Sequence, residues 1–354
     1  GQNRLTAGKS FQDSRAIFAQ NPGVPAMTAE SAKGYRPTEP INVPPIYNWP
    51  PRPFAAIRYL LWDMLFPWGY LYVLLSIVAW NWLTPAIETM ATLSFHWMAL
   101  IWLRNAALLA LFAGGLHWWL YSRRRQDREF KFNSAWLAHD DDRFTFNNQT
   151  RDNVTWSLLS GVTLWSIYES LTWWWYASGH ISWVSFEESP VYVIFMTLGV
   201  FFWSTAHFYL NHRLLHWRPM YNIAHDLHHR NGNTGPWSGI SMHPAEHFIY
   251  FSVFLIWWVV PVHPIHILLT AFFQGISPAI SHSGFARLKL PFGLTVPAGD
   301  SFHHLHHRFF HVNYGNSPTP LDKVFHSWHD GGEAGRTLVK QRMRRFGNSA
   351  TGGS

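Results

Sequence analysis

The residues best placed to do chemistry in this chain are histidines. Sixteen of its 22 histidines fall between positions 207 and 311, under a third of the 354 residues. Their spacing is helical. His212 and His216 form H-x-x-x-H, His225, His228 and His229 form H-x-x-H-H, and His303, His306 and His307 repeat H-x-x-H-H. On a helix, residues three and four apart share a face, so each set is expected to present its imidazoles to one side. A single histidine is more often a packed or interfacial residue than a ligand. Eight in three such sets are not: packed without metal they repel when protonated and lack donors when neutral. Neutral imidazoles converging in this number can hold two divalent metals, with three to five ligands each.

The chain contains no cysteine, so thiolate sites, disulfides and cysteine nucleophiles are excluded. Any transition metal must be held by imidazole and carboxylate, which suit iron, zinc or manganese. Charged residues make up 13%, against about a quarter in soluble domains, and there are 22 Trp, 27 Phe and 13 Tyr. That balance implies a membrane protein, whose Trp and Tyr mostly form interfacial belts and core. The net charge of +7 is read as positive-inside topology and contact with lipid headgroups. The basic residues form no dominant stripe, so nucleic acid is not an expected partner.

Apolar segments supply the frame for the histidines. Met64 to Ile87 carry no charge over 24 positions, enough to cross a hydrocarbon core of about 30 Å. Further spans are expected over about 96–121, 154–178 and Pro190 to about Leu210. Residues 248–281 are apolar but interrupted by Pro261, Pro264 and Pro278, and are read as a re-entrant helical pair. The second span ends in YSRRRQDREFKF, which places this end in the cytoplasm. Both termini and all dense histidine stretches then share that side, in a bacterial inner membrane or the endoplasmic reticulum. Arg104 and Glu169 fall within spans at similar depth, and buried charges in membranes usually pair. The expected fold is therefore an all-α integral membrane protein. It has about four transmembrane helices, a re-entrant pair and a cytosolic histidine-rich helical cap. Residues 1–53, rich in proline, are expected to form an extended arm. Residues 54–346 form a single membrane domain, its catalytic region at about 205–330, and 347–354 a flexible tail or linker remnant.

The motifs HRLLH (212–216), HDLHH (225–229), HPAE (243–246), HSG (282–284) and HHLHHRFFHVNYG (303–315), with the trailing PLDKVFHSW, occur in this order. Over about 205–330 the chain resembles the membrane-bound fatty acid hydroxylase/sterol desaturase superfamily. The resemblance implies a di-iron, O₂-dependent oxygenase or desaturase in a membrane. It implies His212, His216, His225, His228, His229, His243, His282, His303, His306 and His307 as metal ligands, His243 either binding or supporting a ligand. Glu246 and Asn313 are expected to orient ligands or backbone. His207, five positions before His212, points about 140° away on a continuous helix and is expected to support the site or line a substrate channel. His304 and His311 are expected to face away, and His247, His263 and His266 to serve packing.

Function read this way is hydroxylation of an unactivated C–H bond of a lipid or other apolar substrate. Two iron ions are the cofactors and O₂ the co-substrate; zinc can occupy the same imidazoles in purified protein. Desaturation by the same site is the alternative. The fatty acid 2-hydroxylase branch often carries a fused haem domain, for which this chain has no motif. A separate electron donor, a ferredoxin or small cytochrome with its reductase, is the expected partner. Two rival readings differ in kind. A zinc hydrolase would need no O₂, and the chain lacks H-E-x-x-H. A metal transporter or a non-catalytic metal-binding membrane protein would place its ligands near the bilayer midplane, whereas these sets fall at the ends of the spans.

Overall fold

The computed structural model describes residues 34–351. Residues 1–33 of the expected arm, and 352–354 of the expected tail, lie outside the described residues. The arm from 34 to 52 contains one 3₁₀ turn, Pro45–Tyr47. It is tied down by the Tyr35 N–H on the Lys131 carbonyl, the Ile41 N–H on the Asp330 carbonyl and the Tyr47 hydroxyl on the Pro318 carbonyl. Proline's missing N–H and fixed φ explain the extended path. Residues 347–351 are helical, continuing the last helix.

The chain is mostly helical, as its apolar runs require. Helices α1 (Pro53–Met64) and α2 (Trp68–Trp82) meet at a 65° bend, where Pro67 interrupts the hydrogen-bond ladder. Helix α3 runs over Phe95–Ser122, α5 over Pro190–Leu215 and α8 over Pro264–Ser281. These three are long and apolar enough to cross a membrane, and the bent pair α1–α2 is a fourth by the same measure. The described residues thus hold three or four candidate spans, and they are not the same segments as those expected. Helix α4, at 149–177, is continuous and opens with Asn148 accepting from the Arg151 N–H. It is not among the apolar helices because its inward face buries Asp152, Asn153, Ser157, Ser160, Ser166, Glu169 and Thr172. In its place α8, expected as half of a returning pair, qualifies.

Helix α8 is central, buried along most of its length between α2 and α5. Gly275 makes this fit: a Cβ there would lie 2.5 Å from the Trp165 ring of α4. Arg104 of α3 and Glu169 of α4 form the expected buried ion pair. Asn105 Nδ2 donates to the other carboxylate oxygen at 2.9 Å, and Trp173 Nε1 donates to Oε1 at 3.1 Å. A buried carboxylate needs such donors to offset desolvation.

Beyond α5 the chain forms helix α6 (218–229), then α7 (Pro244–Phe251), which continues as a 3₁₀ turn to Trp258 before α8. A two-stranded antiparallel hairpin follows, β1 (Arg287–Lys289) and β2 (Thr295–Pro297). Helices α9 (Ser301–Phe309), α10 (Leu321–Val324) and α11 (Glu333–Thr351) complete the fold.

Candidate metal centre

Helix α5 ends at Leu215 with His216 as its cap. Pro219 sits in the first turn of α6, where proline costs least. This turn brings His225, His228 and His229 back toward His212 and His216. Helix α9 arrives from the opposite side, its N-terminus capped by Asp300 accepting from the Phe302 N–H.

Nine histidines converge in two adjacent groups. His212, His216, His225, His229 and His306 form one; His228, His282, His303 and His307 form the other. Within each group the ligand atoms lie within 4.8 Å of one another. The His229 and His307 rings, one from each group, have centroids 5.0 Å apart. The expectation that each H-x-x-H-H set serves one side is corrected here. His225 and His229 go to the first group and His228 to the second; His306 goes to the first, His303 and His307 to the second. The reason is helical geometry. Neighbours i and i+1 differ by about 100°, so His228 and His229 flank the boundary, their rings 86° apart.

The tautomers explain what the groups can hold. His212 Nδ1 lies 2.6 Å from the Tyr314 carbonyl, His306 Nδ1 2.7 Å from that of Val312, and His282 Nδ1 3.0 Å from that of Pro278. A carbonyl only accepts, so each Nδ1 carries the proton and each Nε2 presents a lone pair. His225 Nδ1 is held in the same way by Glu246 Oε1 at 2.8 Å. The Nε2 atoms then point at one another. His306 Nε2 is 3.1 Å from His216 Nε2 and 3.0 Å from His229 Nε2, and His282, His303 and His307 are mutually 3.1 Å apart. His212 Nε2 is buried without a partner. Among the described residues, His229, His303 and His307 have no partner at Nδ1, yet three mutually close Nε2 atoms cannot all be paired by hydrogen bonds among themselves, whereas a cation among them satisfies every lone pair. The donor set therefore fits two metal ions, with imidazole nitrogen alone in each group.

Electrostatics point the same way. Burial, followed by the neighbouring imidazoles, holds His216, His225, His229, His303 and His307 well below the usual imidazole range. Burial lowers His228 to about 4. These rings stay neutral at physiological pH, the form that binds metal. Burial also pushes the Glu246 carboxyl well above its usual value. A dication on His225 Nε2 opposes that shift and favours the carboxylate.

Each remaining sequence-predicted residue has a definite place. His243 belongs to neither group; it caps α7, its Nδ1 accepting from the Ala245 N–H. Glu246 Oε1 bonds His225 Nδ1. Asn313 holds backbone, donating to the Phe302 and His329 carbonyls and accepting from the His329 N–H. His207 lies outside both groups and bonds Ser252 Oγ at 2.9 Å. His304 faces away, stacked on Phe132. His247 and His266 bond the Ile240 and Val193 carbonyls, and His263 caps α8.

Two positioning devices escaped the sequence reading. Pro278 within α8 has no N–H, so the Gln274 carbonyl loses its helical partner and takes the Tyr250 hydroxyl instead, at 2.9 Å. The Pro278 carbonyl then holds His282 through both its N–H and its ring. Asp322, buried, accepts from the N–H groups of Tyr314 and Gly315 and from Ser327 Oγ. It fixes the loop whose Tyr314 carbonyl orients His212. The only sequence signal for it was its place in PLDKVFHSW.

Gly284 has φ +81°, and a Cβ there would lie 2.3 Å from Tyr121 Oη and 2.7 Å from the Thr234 carbonyl. Gly284→Ala is expected to destabilise the fold by about 1–3 kcal/mol and to displace His282, lowering metal content. Metal analysis beside a thermal melt checks this; unchanged values in both would refute it.

A small cleft of about 40 Å³ reaches the second group. Its walls include Ser204, Phe208, Met242, Gln274, His228, His282 and His303, and no member of the first group lines it.

Residues 196–327 match the fatty acid hydroxylase family. The chain is 29% identical over 138 residues to a Delta(7)-sterol 5(6)-desaturase of Candida glabrata, covering 39% of this chain and 35% of that protein. It is 28% identical over 124 residues to the Saccharomyces cerevisiae Delta(7)-sterol 5(6)-desaturase, covering 35% and 33%. It is 34% identical over 125 residues to methylsterol monooxygenase 1 of Danio rerio, covering 34% and 42%. The chain thus matches well under half the length of each of these relatives. No solved structure matches it. All nine converging histidines lie inside residues 196–327, the segment that matches the fatty acid hydroxylase family.

Proposed function

We propose that this protein is an O₂-dependent di-iron membrane oxygenase that hydroxylates an unactivated C–H bond of a lipid or other apolar substrate. The observation that carries the reading is the pair of adjacent, buried, all-imidazole groups, whose lone pairs face one another. His212, His216, His225, His229 and His306 hold one iron; His228, His282, His303 and His307 hold the other. Iron in such a site supplies the O₂ activation that C–H oxidation needs. The chain's own residues do the rest. The carbonyls of Tyr314, Val312 and Pro278, with Glu246, fix the imidazole tautomers. Phe208, Met242 and Phe273 bound the cleft beside the second group, keep water out and guide an apolar chain to it.

Desaturation is the second reading, favoured by the desaturases among the relatives; the two outcomes differ only in how the substrate carbon is placed. The electron donor is a separate protein, a ferredoxin or small cytochrome. The metal site faces the cytoplasm, on the side of Arg123, Arg124 and Arg125.

The test is anaerobic iron loading, followed by O₂ and a reductant with a lipid extract. A product heavier by one oxygen supports hydroxylation, and one lighter by two hydrogens supports desaturation. Absence of O₂ consumption in every iron-loaded preparation rejects both. Ser204→Phe, which fills the cleft, is expected to lower turnover at least about tenfold, by displacing the substrate from a near-attack position, while both metals remain bound. Unchanged turnover would remove the cleft from the reading.

A further inference from the structure

A second cleft, of about 360 Å³, opens where α3 ends and α4 begins. Arg124, Arg151, His117, His139, Thr150 and Trp136 line it, and no carboxylate does. The Arg124 guanidinium lies over the Trp136 ring, 4.2 Å from its centroid. Neither it nor the Arg151 guanidinium has a hydrogen bond or ion pair among the described residues. Arg104, Arg143 and Lys289, by contrast, each meet a carboxylate. His117 Nδ1 is buried at the same place without a partner. The site offers planar N–H forks and an imidazole with no anion to receive them, the chemistry that recognises phosphate.

An adjoining groove of about 340 Å³ shares Thr150 and Arg151 with this cleft and is otherwise lined by Phe146, Val154 and Thr155. One helical turn beyond Thr155, Leu159 of α4 is 71% exposed. A free phosphate ion would use only the cationic cleft. A ligand that uses both has an anionic head and an apolar tail. The position at the end of an apolar helix, beside Arg123 and Arg125 over the Trp118 and Trp119 rings, is that of a membrane–water interface.

We propose that the two clefts together bind one anionic phospholipid, its phosphate on Arg124, Arg151 and His117 and one acyl chain along Phe146 and Val154. The lipid would brace the metal centre from outside. Tyr121, in the same wall, donates to the carbonyls of Thr234 and Ser283, the latter next to His282. Gln149, beside Thr150, donates to Asn231 and Asn233, which follow His229.

The test uses the full chain in detergent, titrated with phosphatidylglycerol, with phosphatidylcholine of the same chains, and with inorganic phosphate, read by native mass spectrometry and thermal melting. One phosphatidylglycerol is expected to bind in preference to phosphatidylcholine and to raise the melting temperature, with inorganic phosphate competing only weakly. Arg124→Gln with Arg151→Gln is expected to weaken that binding roughly 10- to 30-fold, as two basic contacts at a membrane surface imply. Arg36→Gln with Arg336→Gln removes the same charge elsewhere and should leave it unchanged. Melting without lipid shows that both double variants fold. Equal binding of the two lipids, or equal loss in the two double variants, overturns the proposal. Inorganic phosphate binding as tightly as the lipid also overturns it, leaving an anion site without a tail.

Discussion

Replacing His303 by alanine is expected to lower bound metal from two ions per chain to one and to abolish turnover, whereas His212→Ala is expected to keep both ions, more weakly held. The asymmetry follows from the donor count. His303 belongs to a group of four, and its loss leaves three; His212 belongs to a group of five, and its loss leaves four. The four-donor group is also the one that the cleft lined by Ser204, Phe208 and Met242 reaches. Glu246→Gln should keep both ions but weaken metal binding or activity by about 10–100-fold, as loss of a carboxylate behind a ligand imidazole does. Metal analysis after dialysis against a chelator, together with O₂ uptake, checks all three. If the rings were only packed core, His303→Ala and His212→Ala would melt alike and neither would change metal content.

The convergence of the histidines was legible because imidazole spacing on a helix is a strong geometric statement. His225 and His229, four apart, do share a centre, as do His303 and His307. What spacing alone could not say is that His228 and His306 cross to the other centre. That depends on where the boundary between the groups falls around α6 and α9, which only packing sets. His282, a lone histidine after an apolar run, gained its place from the family motif rather than from periodicity. The supporting carbonyls of Tyr314, Val312 and Pro278 left no trace in residue type, since every residue has a carbonyl. The candidate membrane helices were less legible. Helix α4 buries its hydroxyls, amides and acids against neighbours, and the resulting mean polarity keeps it out of the set that is apolar enough to cross a membrane. Helix α8 carries prolines that read as breaks, yet its two ends are caps and Pro278 is absorbed by the Tyr250 hydroxyl.

Arg104→Ala is expected to destabilise the protein more than any surface change, by about 3–5 kcal/mol, because it leaves Glu169 charged and unpaired in the bundle. Glu169 is fully buried and Arg104 nearly so. Asn105 Nδ2 and Trp173 Nε1 would still donate to the carboxylate, but they carry no compensating charge. The comparison that isolates the ion pair is a double replacement. Arg104→Met with Glu169→Leu removes both charges, fills similar volume and leaves no buried ion. It should recover most of the loss, since an apolar pair of like size is often neutral or stabilising relative to a buried ion pair. Asn105, left without its carboxylate, keeps Ser166 Oγ as a partner at 3.2 Å. Thermal melts and denaturant titrations in detergent measure the three variants. Destabilisation of the double variant as large as that of Arg104→Ala would show that the polar network, not charge neutralisation, holds α3 to α4. Recovery would assign the pair a structural role, and the double variant should then bind both metals normally, because neither residue belongs to either histidine group.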